Sequence, residues 1–241
     1  MYQDPEIGDQ AGLSDAQLFG SKQIRHNFIK KVYSLLSIQL LITVAIVALF
    51  ALHEGIHDWA RKNQWFHLAA FAVSFAILMV IACMGELRRK HPHNLIALFA
   101  FTVAESLMLG VITVMFDTQI VMIAGGLTAV ICIALTLFAM QTRYDFTTKH
   151  GVMLIILLIG TLTLIISAFF QRYLPPLFIV IASSIMAIIM GIFLVIDTQM
   201  IVGGTHKVQI SPEEYVFAAI NLYLDIINMF LYILTILSQD R

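Results

Sequence analysis

Three carboxylates stand inside otherwise apolar stretches of this sequence: Glu105, Asp197 and Asp225. A charge at the centre of a bilayer costs at least about 2.5 to 3.5 kcal/mol on insertion scales, so a carboxylate kept there is a functional candidate by default. Asp225 has the richest surroundings. Asn221, Asp225, Asn228 and Tyr232 advance by four, three and four residues and cluster within about 60° on one face of a 3.6-residue helix. Such a stripe must face protein or water, either as interhelical hydrogen bonds that hold a bundle together or as a functional site. Asp197 lies about six residues, or ~9 Å, inside Gly203, and Asp225 about ten residues, or ~15 Å, inside Tyr215, both from the same side of the membrane. Helix tilts of ~20° and side-chain reach can close the remaining depth difference, so the two aspartates can form a dyad. Two carboxylates in one dry site cannot both ionise cheaply, so they should share a proton and titrate as a unit. Their ionised form offers hard oxygen ligands to Ca²⁺. The competing reading is that each aspartate caps a separate backbone break or pairs with a different helix. Glu105, with Thr102 and Ser106 beside it, is a further pore or network carboxylate.

Two other groups of residues could do chemistry. Arg88 closes the second apolar run on the side from which both aspartates enter, and its planar fork could hold a carboxylate bidentately; alternatively Arg88, Arg89 and Lys90 only satisfy the positive-inside rule. His53, Glu54 and His57 fit the H-E-x-x-H zinc pattern, in which two histidines one turn apart share a helix face. Here the pattern ends the first apolar run, contains Gly55 and has only His67 nearby as a third ligand. No zinc site is expected.

The elements that must position these side chains follow from composition. The chain has 241 residues, 60% of them hydrophobic and 12% charged, with a mean hydropathy of +0.90. A soluble core of this length cannot hide so much apolar side chain, so lipid is the solvent for most of it. The 14 Lys and Arg nearly balance the 15 Asp and Glu, which leaves no nucleic-acid footprint. Cys83 and Cys132 fall inside apolar runs and read as packing residues. A polar segment covers residues 1–27 without a removable signal peptide, and a transmembrane domain covers 28–241. Its apolar runs predict seven spanning helices, at about 29–52, 65–86, 94–116, 119–141, 151–171, 176–202 and 212–237. Period-two alternation is absent, which argues against a barrel. Ser211-Pro212-Glu213-Glu214 predicts a capping box that starts the last helix. With the N-terminus in the cytosol, ten of the 14 basic residues fall on that side, which sets the expected orientation. The final polar helix could instead enter and turn back.

The last helix carries a resemblance. Ser211-Pro212-Glu213-Glu214-Tyr215, followed by Ala218 through Asn228 with Asn221-Leu222-Tyr223-Leu224-Asp225 at its centre, resembles the C-terminal signature of the transmembrane Bax inhibitor motif family, most nearly its lifeguard or Golgi anti-apoptotic branch. Lys30 to Gln39 and Asn94 to Glu105 are similar to that branch's first and third helices, and the likeness extends over about residues 25–237. It implies an all-α fold with six helices around a central C-terminal seventh. It also implies a pH-sensitive Ca²⁺ leak that lowers stored Ca²⁺ and suppresses apoptosis, in a Golgi or endoplasmic reticulum membrane. The family's aspartate pair falls on Asp197 and Asp225, and its latch arginine on Arg88. Apart from Ca²⁺ and lipid, the partners it implies are Bcl-2-type apoptosis regulators or Ca²⁺ release channels; a homo-oligomer is left open, and neither an enzyme nor a cofactor is expected. The proline-rich tail of some lifeguard members is missing, and the zinc-like pattern has no counterpart in the family.

Three other classes compete. An intramembrane aspartyl protease would need a Gly-x-Gly-Asp context, but Asp225 follows Leu222-Tyr223-Leu224. A retinal protein would need a lysine in the last helix. A non-conducting scaffold is compatible with the sequence.

Overall fold

The computed structural model describes residues 15–169, 175–204 and 206–239. Among these residues the chain forms nine α-helices: α1 (Asp15–Leu52), α2 (Glu54–Lys62), α3 (Trp65–Cys83), α4 (Gly85–Arg89), α5 (His93–Thr113), α6 (Thr118–Gln141), α7 (His150–Phe169), α8 (Pro176–Val202) and α9 (Tyr215–Ser238). Short 3₁₀ turns, Phe146–Lys149 and Pro212–Glu214, lead into α7 and α9. Seven helical segments are long and apolar enough to cross a membrane, so the chain is an all-α, multi-pass membrane protein.

Helix ends differ from the sequence reading in four places. The expected polar segment 1–27 lies outside the described residues as far as residue 14, and from Asp15 onward it is already helical. Two of its side chains are anchored. Gln23 bonds Asn27 along the helix, and the Arg25 guanidinium donates to the carbonyls of Ile201 and Ile210. At ~1.5 Å per residue, the 38 residues of α1 reach ~57 Å, well beyond the hydrocarbon layer. The second span stops at Cys83, because Met84 leaves helical geometry (φ −99°, ψ 87°) and Gly85 starts a separate short helix. The third span closes at Thr113 rather than running on to Phe116. The capping box is not formed. Ser211 makes no side-chain cap, and the Glu214 carboxylate that should complete the box accepts from Arg89 instead, at 2.9 Å. The far end of the fifth predicted helix, residues 170–171, lies outside the described residues.

Burial is concentrated where α8 and α9 meet. Leu194, Ile196 and Ile201 of α8 and Ala218, Ile220, Leu222 and Tyr223 of α9 are all but inaccessible. The small Ala218 and Ala219 permit that closeness, since small interfacial residues let helix backbones approach in lipid. The last helix also packs on α1, α6 and α5, whereas α3 packs on α5 and α7 on α8. Gly110 marks a close approach of α1 and α5: a Cβ there would lie 2.8 Å from the Phe50 ring. The outward faces are apolar too, with Phe71 on α3, Val130 and Ile133 on α6, and Leu158 and Ile159 on α7 exposed. In water so large an apolar surface would drive association; in a bilayer it is the solvated face.

Candidate functional site

Asp197 and Asp225 come from the two most closely packed helices, and both are buried, at 4% and 8% exposure. Asp197 is followed by the buried Thr198 and Gln199 on α8, and Asp225 lies between Asn221 and Asn228 on α9. Asp225 lies within electrostatic range of Asp197, and the Cys132 sulfur of α6 lies within range of Asp225. The Asp225 Oδ2 is buried with no hydrogen-bond partner. Among the described residues neither aspartate makes an ion pair. A buried carboxylate oxygen without a partner is costly to leave charged. Sharing a proton or binding a cation removes that cost, and these are the two things this arrangement can do chemically.

The other candidates from the sequence lie elsewhere. Arg88 does not reach the dyad. Its Nη2 lies 3.9 Å from Glu214 Oε1, its guanidinium stacks 5.0 Å from the Phe217 ring centre, and its buried Nε is unpartnered. Together with Arg89 and Asn94, whose amide donates to the Tyr215 hydroxyl at 2.6 Å, it binds the short helix α4 to the start of α9. The polar stripe on α9 does not join into a network: Asn228 donates back to the Leu224 carbonyl of its own helix at 2.8 Å, and Asn221 and Tyr232 are half-buried. Glu105 is buried on α5 near Ser74 of α3, whose hydroxyl donates to the Phe71 carbonyl of its own helix at 3.0 Å. The zinc-like pattern is split by a helix break. His53 is the N-cap of α2, its Nδ1 accepting from the Ile56 amide at 3.4 Å, so His53 and His57 do not share a helix face as that pattern requires.

Two polar assemblies escaped the sequence reading. The first is a buried seam across α1, α5 and α9: Gln39 donates to Thr102 at 3.0 Å, while Thr43 lies 2.8 Å from the Ser106 hydroxyl and 2.9 Å from that of Tyr223. Its sequence signals were Gln39 with Thr43, and Thr102 with Ser106, each pair one turn apart in an apolar run. The second is a clasp between the α6–α7 and α8–α9 connections. Asp145 accepts from the Thr147 amide and hydroxyl (3.1 and 2.6 Å) and the Lys207 amide (3.0 Å), and lies 3.3 Å from the His206 ring. Burial alone would raise its pKa, but these hydrogen bonds, with a smaller contribution from His206, hold it below the usual 3.8. Gln199, two residues beyond Asp197, continues the clasp by accepting from the Phe146 amide and donating to the Tyr144 carbonyl.

A seven-span helical bundle with paired carboxylates buried in its core is thus the class of protein that fold and site define. Residues 25–241 match the family described as inhibitor of apoptosis-promoting Bax1, and the chain belongs to that family. It is 38% identical to human protein lifeguard 3, over 96% of this chain and 76% of the relative. It is 36% identical to mouse protein lifeguard 3, over 90% and 71%. It is 33% identical to the Golgi anti-apoptotic protein of vaccinia virus (strain Lister), over 98% of this chain and 94% of the viral one.

Proposed function

We propose that this protein is a proton-sensitive Ca²⁺ leak pathway of a Golgi or endoplasmic reticulum membrane, with its N-terminus in the cytosol, and that it suppresses apoptosis by lowering stored Ca²⁺. The observation that carries the reading is the pair of buried carboxylates on α8 and α9, with an Asp225 oxygen left unpartnered. An unpartnered carboxylate oxygen beside a second buried carboxylate is one that a proton or a cation could take up. The anti-apoptotic part rests on the viral relative's name and on the family description. In this reading Arg88 is a latch one step removed: it holds Glu214 at the start of α9, and through that helix it steadies Asp225. Partners such as apoptosis regulators or Ca²⁺ release channels belong to the same proposal, and no enzymatic step is part of it.

The test is Ca²⁺ efflux from liposomes loaded with a Ca²⁺ indicator. Wild-type protein should release Ca²⁺ above the protein-free rate, Asp225→Asn should change that rate, and Arg88→Ala should raise it at neutral pH. Efflux at the protein-free rate would leave the scaffold as the better reading. Peptide hydrolysis blocked by a transition-state inhibitor would point instead to a protease.

A further inference from the structure

The walls formed by α1 and α6 do not close on one another. Between them runs a crevice of about 790 Å³, open toward the bilayer and floored by α9. Val44 and Val47 line it on α1, Gly125 and Ala129 on α6, and Ile227 and Phe230 beneath. It extends along α1 from Tyr33 to Leu52, about 28 Å at the helical rise and so close to the full hydrocarbon thickness. The wall is thin where it could have been thick: a Cβ at Gly125 or Gly126 would meet nothing within 4 Å. Both the volume and the apolar lining fit the range in which proteins bury small ligands.

The two ends differ in charge. Lys30 lies one turn before Tyr33 and two turns before Ser37, on the stripe of α1 that lines the crevice, and Arg143 follows the end of α6, the opposite wall. Neither makes an ion pair among the described residues. At the other end, around Leu52, the neighbouring polar side chains are Glu54, Asp58 and His57, the last with its Nδ1 3.8 Å from Asp58, so carboxylates outnumber cations there. We propose that this crevice binds one anionic phospholipid, its phosphate between Lys30 and Arg143 and an acyl chain running inward along α6 to the level of Gly126. From Leu137, at the basic end, to Gly126 is eleven residues or about 16 Å, half the hydrocarbon layer and the reach of one leaflet's chain. Charge complementarity selects the end, since a phosphate at Glu54 and Asp58 would meet like charge. Cys132 lines the crevice and neighbours Asp225, so the bound chain would pass beside the carboxylate pair. The binding itself does not depend on any Ca²⁺ flux.

The test uses the full chain in nanodiscs of phosphatidylcholine with a minority of phosphatidylglycerol, followed by detergent release and native mass spectrometry. Wild-type protein should retain one phosphatidylglycerol, enriched over its share of the disc. Gly126→Leu combined with Ala129→Leu fills the crevice from α6 without weakening the helix, and should cut retention by about tenfold, the worth of roughly two buried methylenes. Gly151→Leu, at another open glycine on α7, should leave retention unchanged. Lys30→Ala with Arg143→Ala alters two groups outside the core; the preference for phosphatidylglycerol over phosphatidylcholine should drop by about fivefold for each cation removed. Retention of both lipids in the disc ratio by wild type, or undiminished phosphatidylglycerol on a folded crevice-filled variant, would mean annular lipid only and would overturn the proposal.

Discussion

Aspartates in apolar runs are conspicuous in a sequence because each ionised carboxylate would cost several kcal/mol unless something receives it. That is why Asp197 and Asp225 stand out as candidates in the sequence, and the structure brings the two within electrostatic range of each other. Neutral polar residues give no such signal. Gln39, Thr43 and Tyr223 are each tolerable alone in a membrane helix, and only the packing of α1 against α5 and α9 shows them to be one seam. Arg88 was ambiguous for a different reason. It sits among three consecutive cations, and its carboxylate partner is Glu214, 126 positions away, so no local spacing could distinguish a partner from the positive-inside rule. The seam can be tested directly. Thr43→Val keeps the shape and removes the hydroxyl that joins Ser106 to Tyr223; it should cost about 0.6 to 1.7 kcal/mol, the range for interhelical hydrogen bonds in membranes. Thermal unfolding in detergent would show a lowered midpoint, and an unchanged midpoint would mean that the seam contributes specificity rather than stability.

At the scale of elements, the spans were legible because hydropathy over ~20 residues is a strong signal. Their ends were less so, because they depend on tertiary partners: Arg25, near the start of the first helix, bonds one carbonyl in the last turn of the eighth and one beyond it, and Glu214 leaves its cap for Arg89. The connections carry two predictions. Gly203 has φ +66° and a would-be Cβ 2.6 Å from the Arg25 guanidinium. Gly203→Ala should therefore destabilise by at least about 1 to 2 kcal/mol from backbone strain alone, read as an earlier thermal transition, whereas an Ala variant as stable as wild type would mean that this turn relaxes freely. Asp145 has a pKa held below 3.8 in the folded protein. Its contribution is then present above the unfolded value and is lost as pH falls through the lower folded value. Asp145→Asn should lower the thermal midpoint near neutral pH, with the gap to wild type narrowing below about pH 4. A gap that persisted in acid would show that the carboxylate's charge is not what the clasp uses.

For the whole molecule, the basic residues set an orientation. A tag on the N-terminus and another in the segment around Arg88 should both be digested by protease added outside sealed endoplasmic reticulum vesicles; protection of either would invert the proposed topology. Family membership and seven spans follow from sequence and fold together, and the same buried pair could serve either to hold the bundle together or to carry ions. What separates these roles is the proton. Asn is nearly isosteric with Asp but cannot ionise, so Asp197→Asn and Asp225→Asn should each flatten the pH dependence of Ca²⁺ efflux from liposomes across about pH 5 to 8. The double variant should do little more than either single one, because groups that share a proton act as a unit. Efflux from all three variants that follows the wild-type pH profile would contradict the account, and would return the two aspartates to a structural role.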